Sequence, residues 1–157
     1  MNGDQYDSTL IYRDEFLFIE KRRPMAQSLT PEARALLARP VLASLATIAA
    51  DGSPQITPLW IDVEGDDLIV NTAKGRAKAR NMQRNPHVAL CVVDPDDPFN
   101  VVAVHGTVSE ITEDGADAHI DALAKKYMGL DEYPMRQEGE VRLKIRIRPD
   151  KIVMQNG

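Results

Sequence analysis

A single cysteine, Cys91, stands in a chain of 157 residues, which excludes an intrachain disulfide framework and a cysteine-based structural zinc site. A reducing, cytoplasmic setting is the expectation that goes with so little cysteine. Histidine is nearly as scarce, and His87, His105 and His119 show neither metal-ligand spacing nor a cysteine or carboxylate partner placed by sequence. No metal site is expected. The chain also lacks an excess of basic charge, with 19 Lys and Arg against 24 Asp and Glu and a net charge of −5. Coating a nucleic acid requires a basic footprint, so no nucleic-acid partner is expected. No apolar run approaches the ~18 residues a membrane span needs. In the best N-terminal stretch, Phe16 to Ile19, the basic cluster Lys21, Arg22 and Arg23 follows the apolar residues, where a signal peptide would put it first. No glycine-rich phosphate fingerprint follows a strand. Ser44, Ser53 and Ser109 lack a nucleophile elbow.

What the chain does have is a globular balance, 43% hydrophobic and 27% charged, at the length of one domain. Such a domain buries about 70% of the surface its unfolded chain exposes, enough for a core without staples. An N-terminal arm over residues 1–27 precedes the domain over 28–157. Its Tyr12, Phe16, Leu17, Phe18 and Ile19 are expected to pack on the domain or a partner. Thr30-Pro31-Glu32 is an N-cap, a first-position proline and a first-turn acid, predicting a helix to about Ala38. Strands are predicted over Val41 to Ala49, Ile56 to Val63 and Leu68 to Thr72, separated by turns at Asp51-Gly52 and Glu64 to Asp67. A helix over Arg76 to Arg84 stops at Asn85-Pro86, and Val88 to Val93 is a buried strand. Val101 to Ile111 is a bent strand with Gly106 at the kink. A helix over Glu113 to Met128 and a last strand or pair, Leu143 to Ile147 and Ile152 to Met154, complete the set. Most connections are too short for parallel crossovers. The fold class is therefore mainly β: an antiparallel sheet closed into a small barrel with flanking helices.

Asn71 to Arg84 carries Lys74, Arg76, Lys78, Arg80 and Arg84, and no acidic residue occurs from Leu68 to Val93. Cations in a first helical turn oppose the macrodipole at about 0.3–1 kcal/mol each. A strand running into such a helix is a ready anion site, while the plainer alternative is a solvated charged face. On one continuous helix Lys74 and Lys78 share a stripe, and Arg76, Arg80 and Arg84 share another.

Ser44-Leu45-Ala46-Thr47, Asp51-Gly52-Ser53-Pro54, Thr57-Pro58-Leu59-Trp60, Asn71-Thr72, Lys78-Ala79-Arg80-Asn81-Met82, Asn85-Pro86-His87-Val88 and Val104-His105-Gly106 occur in an order that resembles the pyridoxamine 5'-phosphate oxidase-like family. The likeness spans roughly Leu29 to Val153 and is nearest to the actinobacterial deazaflavin branch, which uses coenzyme F420. It implies a split β-barrel of FMN-binding type, a homodimer with the cofactor in a groove at the subunit interface. Lys78 and Thr72 are then expected to hold the cofactor phosphate, with the Thr57 to Trp60 strand against the ring system. The full set of cofactor contacts it implies is Thr57, Pro58, Trp60, Asn71, Thr72, Lys74, Arg76, Lys78 and Asn81, with Arg80 able to extend the groove for an anionic tail. True pyridoxamine phosphate oxidases carry arginine near Gln55, lysine near Trp60 and an Arg-Lys pair at Ala77-Lys78. These departures shift the expectation from vitamin B6 chemistry to F420. The reaction implied is hydride transfer from the reduced deazaflavin to an electron-poor C=C or C=O of a small hydrophobic substrate. A non-catalytic F420 or FMN carrier, and an FMN-dependent oxidoreductase, are the alternatives.

Pro58 implies an edge strand or a bulge, where Trp60 is free either to stack on a ligand or to pack in the core. Arg142, Lys144, Arg146 and Arg148 alternate with apolar residues, giving the last strand a basic face that either extends the groove for an anionic tail or, the favoured reading, is simply exposed. Tyr127 and Tyr133 are the candidate proton donors. Cys91, within an apolar strand, is expected to be inert.

Overall fold

Thr30 caps the first helix, α1 (Pro31–Leu37), its hydroxyl accepting from the Ala33 N–H at 3.1 Å, with proline in the first turn where no intrahelical donor is needed. The computed structural model describes residues 25–155. Most of the arm expected over 1–27 therefore lies outside the described residues. Its end is pinned to the domain, the Gln27 N–H donating to Pro149 O at 2.9 Å and the Gln27 side chain accepting from the Ile152 N–H at 2.7 Å.

The strands are β1 (Ala43–Ile48), β2 (Pro54–Leu59), β3 (Ile61–Glu64), β4 (Asp67–Ala73), β5 (His87–Val93), β6 (Val101–Thr112) and β7 (Arg142–Gln155). All seven form one antiparallel sheet in the order β2-β1-β5-β6-β7-β4-β3. The strand expected over Ile56 to Val63 is thus two strands. β2 pairs with β1 while β3 pairs with β4, so consecutive segments occupy opposite edges of the sheet with Trp60 alone between them. One residue spans only about 3.5 Å. The sheet must therefore curl until its edges meet at Trp60, which makes the half-barrel. Pro58 is accommodated because β2 is an edge strand with no second partner to lose a hydrogen bond.

The last strand is a single ribbon of 14 residues, and with β6 it bends around the barrel through register shifts at His105/Gly106 and Val108/Glu110. Gly106 permits the bend by close approach, since a Cβ there would stand 2.6 Å from Ile147 Cγ2 and 3.1 Å from Arg148 O. The core inside the curl includes Leu45, Ile61, Val70, Val92, Ile145 and Ile147, each contributing roughly 1.5–3 kcal/mol by burial. Two more helices pack outside. α2 (Ala77–Arg84) lies on β1 and β4, and α3 (Ala116–Met128) lies on β7 and β4. Among the described residues no helix is long and apolar enough to cross a membrane.

Candidate functional site

β4 delivers Asn71 and Thr72 to its end and runs through Lys74-Gly75-Arg76 into α2, with Gly75 supplying the positive φ of 86° that the turn requires. Because the helix begins at Ala77, Lys74 precedes it and shares no stripe with Lys78. It leaves the site altogether, pairing with Glu113 at 2.7 Å on the surface. α2 has no side-chain N-cap and no acid in its first turn, so its leading N–H groups carry an uncompensated positive end.

A cavity of about 290 Å³ opens beside this helix start. Arg76, Lys78 and Arg142 line its polar part together with Asn71 and Thr72, while Leu42, Pro58, Ile120, Leu123 and Met135 supply apolar wall. Trp60 stacks on Tyr127 with centroids 5.1 Å apart and meets Tyr133 edge-on at 6.0 Å. The junction where the two sheet edges meet is thereby faced with aromatic rings.

Two features of the polar part suit an anion. Thr72 is 1% exposed and its Oγ1 has no partner, a buried hydroxyl on the cavity wall that a ligand oxygen would satisfy. Lys78 is half-buried, and its ammonium is pushed below the ordinary lysine range by burial, then by Arg76 and Arg142. Among the described residues, three cations share the site with one carboxylate, Glu140, which accepts from Arg142 Nη1 at 2.7 Å and lies 3.4 Å from Arg76 Nη2. A bound phosphate would relieve this crowding. The residues present fit the phosphate of a flavin-type cofactor, and Lys78, Arg76 and Thr72 are the ones that could hold it.

Residues 29–154 match the family described as pyridoxamine 5'-phosphate oxidase. The chain belongs to the pyridoxamine 5'-phosphate oxidase family. Among solved structures it is similar to an F420 reductase, 33% identical, covering 76% of this chain and 94% of that one with a TM-score of 0.68. It is also similar to HupZ of Group A Streptococcus, 26% identical, covering 82% and 96% with a TM-score of 0.61. HutZ, the heme storage protein of Vibrio cholerae, is 16% identical and shares the fold, with 82% and 96% covered and a TM-score of 0.59.

Within this oxidase-family barrel, Pro58, Trp60, Asn71, Thr72, Arg76, Lys78 and Tyr133 line one cavity. Thr57 does not. It sits on β2 opposite Leu45, away from the lining. Asn81 turns to the body of the protein, where its amide donates to Thr47 Oγ1 at 3.0 Å and Gln55 Oε1 at 2.9 Å. That side of α2 borders a separate depression with Arg80 and Arg84. Both guanidinium groups there donate to backbone carbonyls, Arg80 to Gly75 and Arg84 to Ile48.

Of the two tyrosines, Tyr127 is committed to the backbone. Its hydroxyl donates to Val41 O at 2.6 Å and accepts from the Ile61 N–H at 3.0 Å, and burial pushes the phenol up. It ties the ends of the barrel together and has no proton free for a substrate. Tyr133 is the tyrosine on the cavity wall, its ring under Arg142 at 5.2 Å.

The basic face of β7 is paired and partly buried, contrary to the exposed face expected. Lys144 and Arg146 both reach Glu64 at 2.6 Å, and Arg148 reaches Asp150 at 3.1 Å. Arg142 alone of the four enters the cavity lining, at 4% exposure. His119, weighed in the sequence only as a metal ligand, is buried and lies 3.1 Å from the Asn71 amide nitrogen. One signal for its burial existed, since Ala116, His119, Ile120 and Leu123 fall at the spacing of a helix's buried face.

Proposed function

We propose that this protein is an F420-dependent oxidoreductase that reduces an electron-poor C=C or C=O of a small hydrophobic molecule. The observation that carries it is one cavity joining a carboxylate-poor cationic end, with the orphaned Thr72 hydroxyl, to the aromatic Trp60 junction. Similarity to a solved F420 reductase supports the choice of deazaflavin. When bound, that cofactor supplies the hydride chemistry. The chain's own residues bind and orient. Lys78 and Arg76 anchor the charged end, Thr72 donates its hydroxyl, and Leu42, Met135 and Tyr133 supply wall against which the reacting face lies. A side-chain acid is not required where solvent protonates the product, which agrees with the engagement of Tyr127.

FMN fits the same cationic end, but Gln55, Trp60 and Ala77 stand where the resemblance to true pyridoxamine phosphate oxidases leads one to expect cations. The visible spectrum of the purified protein decides: a band near ~420 nm is expected for the deazaflavin, one near ~450 nm identifies flavin. Failure of both cofactors to bind on titration overturns the reading. A carrier without turnover would bind F420 but leave its reduced form unoxidised by enones and quinones.

A second copy of the chain is part of this proposal. Ile56, Leu42 and Val93, on β2, just before β1 and on β5, are 68%, 59% and 47% exposed on a sheet that needs cover. Leu42 also lines the cavity, so a partner on this face would close the site. Ile56→Lys is expected to convert a dimer to a monomer by sedimentation and to weaken cofactor binding; a monomeric parent protein sinks the dimer.

A further inference from the structure

Behind the cavity wall lies a chain of buried polar groups that cofactor binding does not account for. Asn71 is 8% exposed, and its amide nitrogen donates to Ala116 O at 2.9 Å and to His119 Nδ1 at 3.1 Å. Its amide oxygen accepts from Arg142 Nε at 2.9 Å. The direction of each bond is fixed by chemistry. Ala116 O can only accept and Arg142 Nε can only donate, so the Asn71 amide has one orientation. His119 Nδ1 must then accept, which puts the imidazole hydrogen on Nε2. That nitrogen has no hydrogen-bond partner and stands 3.9 Å from Asp62 Oδ2.

We propose that His119 is a positioning residue: through Asn71 it holds the Arg142 guanidinium on the cavity wall, and protonating it releases that hold and weakens anion binding. A proton on Nδ1 turns the acceptor into a donor facing the two donors of Asn71. The amide cannot rotate to meet it without setting its nitrogen against Arg142 Nε. Acid therefore breaks the relay at one joint or the other.

The surroundings set where this happens. Burial, the largest influence, lowers the proton affinity of His119, and Lys144 and Arg142 of β7 lower it further, while Asp62 and Glu64 of β3 raise it. The net shift is downward from 6.5. A histidine held neutral by the fold contributes stability in full above its unfolded value, and that contribution is lost as pH falls toward the lowered one. The relay is intact at neutral pH and fails in acid.

The functional arm of this inference rests on the cofactor reading above, and its structural arm does not. Asparagine places an amide oxygen close to where Nδ1 sits, so His119→Asn keeps the acceptor but cannot be protonated, whereas His119→Leu removes it. By NMR, the Arg142 Nε–H signal is expected to be protected from exchange in the parent protein at about pH 7.5 and in His119→Asn, and unprotected in His119→Leu. Acidification through and below the ordinary histidine range, followed for as long as the parent stays folded, should remove protection in the parent and spare His119→Asn. In F420 and FMN titrations, His119→Leu is expected to bind about tenfold more weakly at neutral pH. The ratio of parent to His119→Asn affinity should fall with acid, a ratio in which the cofactor's own titration cancels. An Arg142 signal indifferent to His119→Leu, or an affinity ratio independent of pH, overturns the proposal. Should His119→Leu fail to fold, the acid titration of the parent against His119→Asn decides. If neither cofactor binds while the Arg142 signal responds as expected, the cofactor reading falls and the positioning role stands.

Discussion

Lys78→Ala is expected to weaken F420 binding by about 1.5–3 kcal/mol, or roughly 10- to 150-fold, the loss of one charge-assisted contact to phosphate. The size follows from where the ammonium sits. It is half-buried on the cavity wall, at the unneutralised start of α2, and the charges acting on it are the cations Arg76 and Arg142. An anion arriving there removes repulsion as well as gaining a hydrogen bond. Lys74, four residues earlier, provides the contrast. It is exposed and already paired with Glu113, so Lys74→Ala should change affinity by less than about 0.5 kcal/mol. Fluorescence titration of the purified variants measures both. Equal affinities for the parent and Lys78→Ala would remove the phosphate from this end of the cavity, and equal losses for the two lysines would reduce the basic strip to a diffuse electrostatic attraction.

The contrast between these lysines also shows what the sequence could and could not reveal. Local chemistry was legible: the Thr30 cap and the turn at Asp51-Gly52 depend on groups within a few residues of one another, and Pro58 and Gly106 signalled an edge and a kink by residue type alone, although the groups they meet are remote. The mainly β, antiparallel character followed from short connections. The division at Trp60 was not legible, because nothing within the segment from Ile56 to Val63 records that its halves pair at opposite edges of the sheet. Burial of Arg142 is of the same kind. It depends on register, since Ala73 lies opposite Arg142 and Thr72 opposite Leu143, which sets the start of β7 beside the end of β4. Alternation along β7 alone gave four equivalent cations, and the acids that separate them come from β3, β4 and the loop before β7. The engagement of Tyr127 was not legible for that reason too, as its partners Val41 and Ile61 are remote in sequence.

Glu140→Ala is expected to cost about 3–5 kcal/mol of folding stability, a large part of the 5–15 kcal/mol typical of a domain. Its carboxylate and the Arg142 guanidinium are 8% and 3% exposed, and they are joined at 2.7 Å. Removing the acid strands a buried cation whose remaining partners are the Asn71 oxygen and the face of the Tyr133 ring. A surface pair would give less than about 1 kcal/mol, so urea denaturation separates the two cases cleanly. Removing both charges in Glu140→Ala/Arg142→Met should recover most of the loss, because the penalty belongs to the unpaired ion and not to the absence of the pair. The same carboxylate is also the acid that shares the cavity's polar end with Arg76 and Arg142, so its removal makes that end more positive. A phosphate-bearing cofactor should therefore stabilise Glu140→Ala by more than it stabilises the parent, with the bound anion standing in for the lost carboxylate. If the variant were destabilised as expected yet gained no more from the cofactor than the parent does, Glu140 would be a structural counterion only, and the anion would bind elsewhere in the cavity.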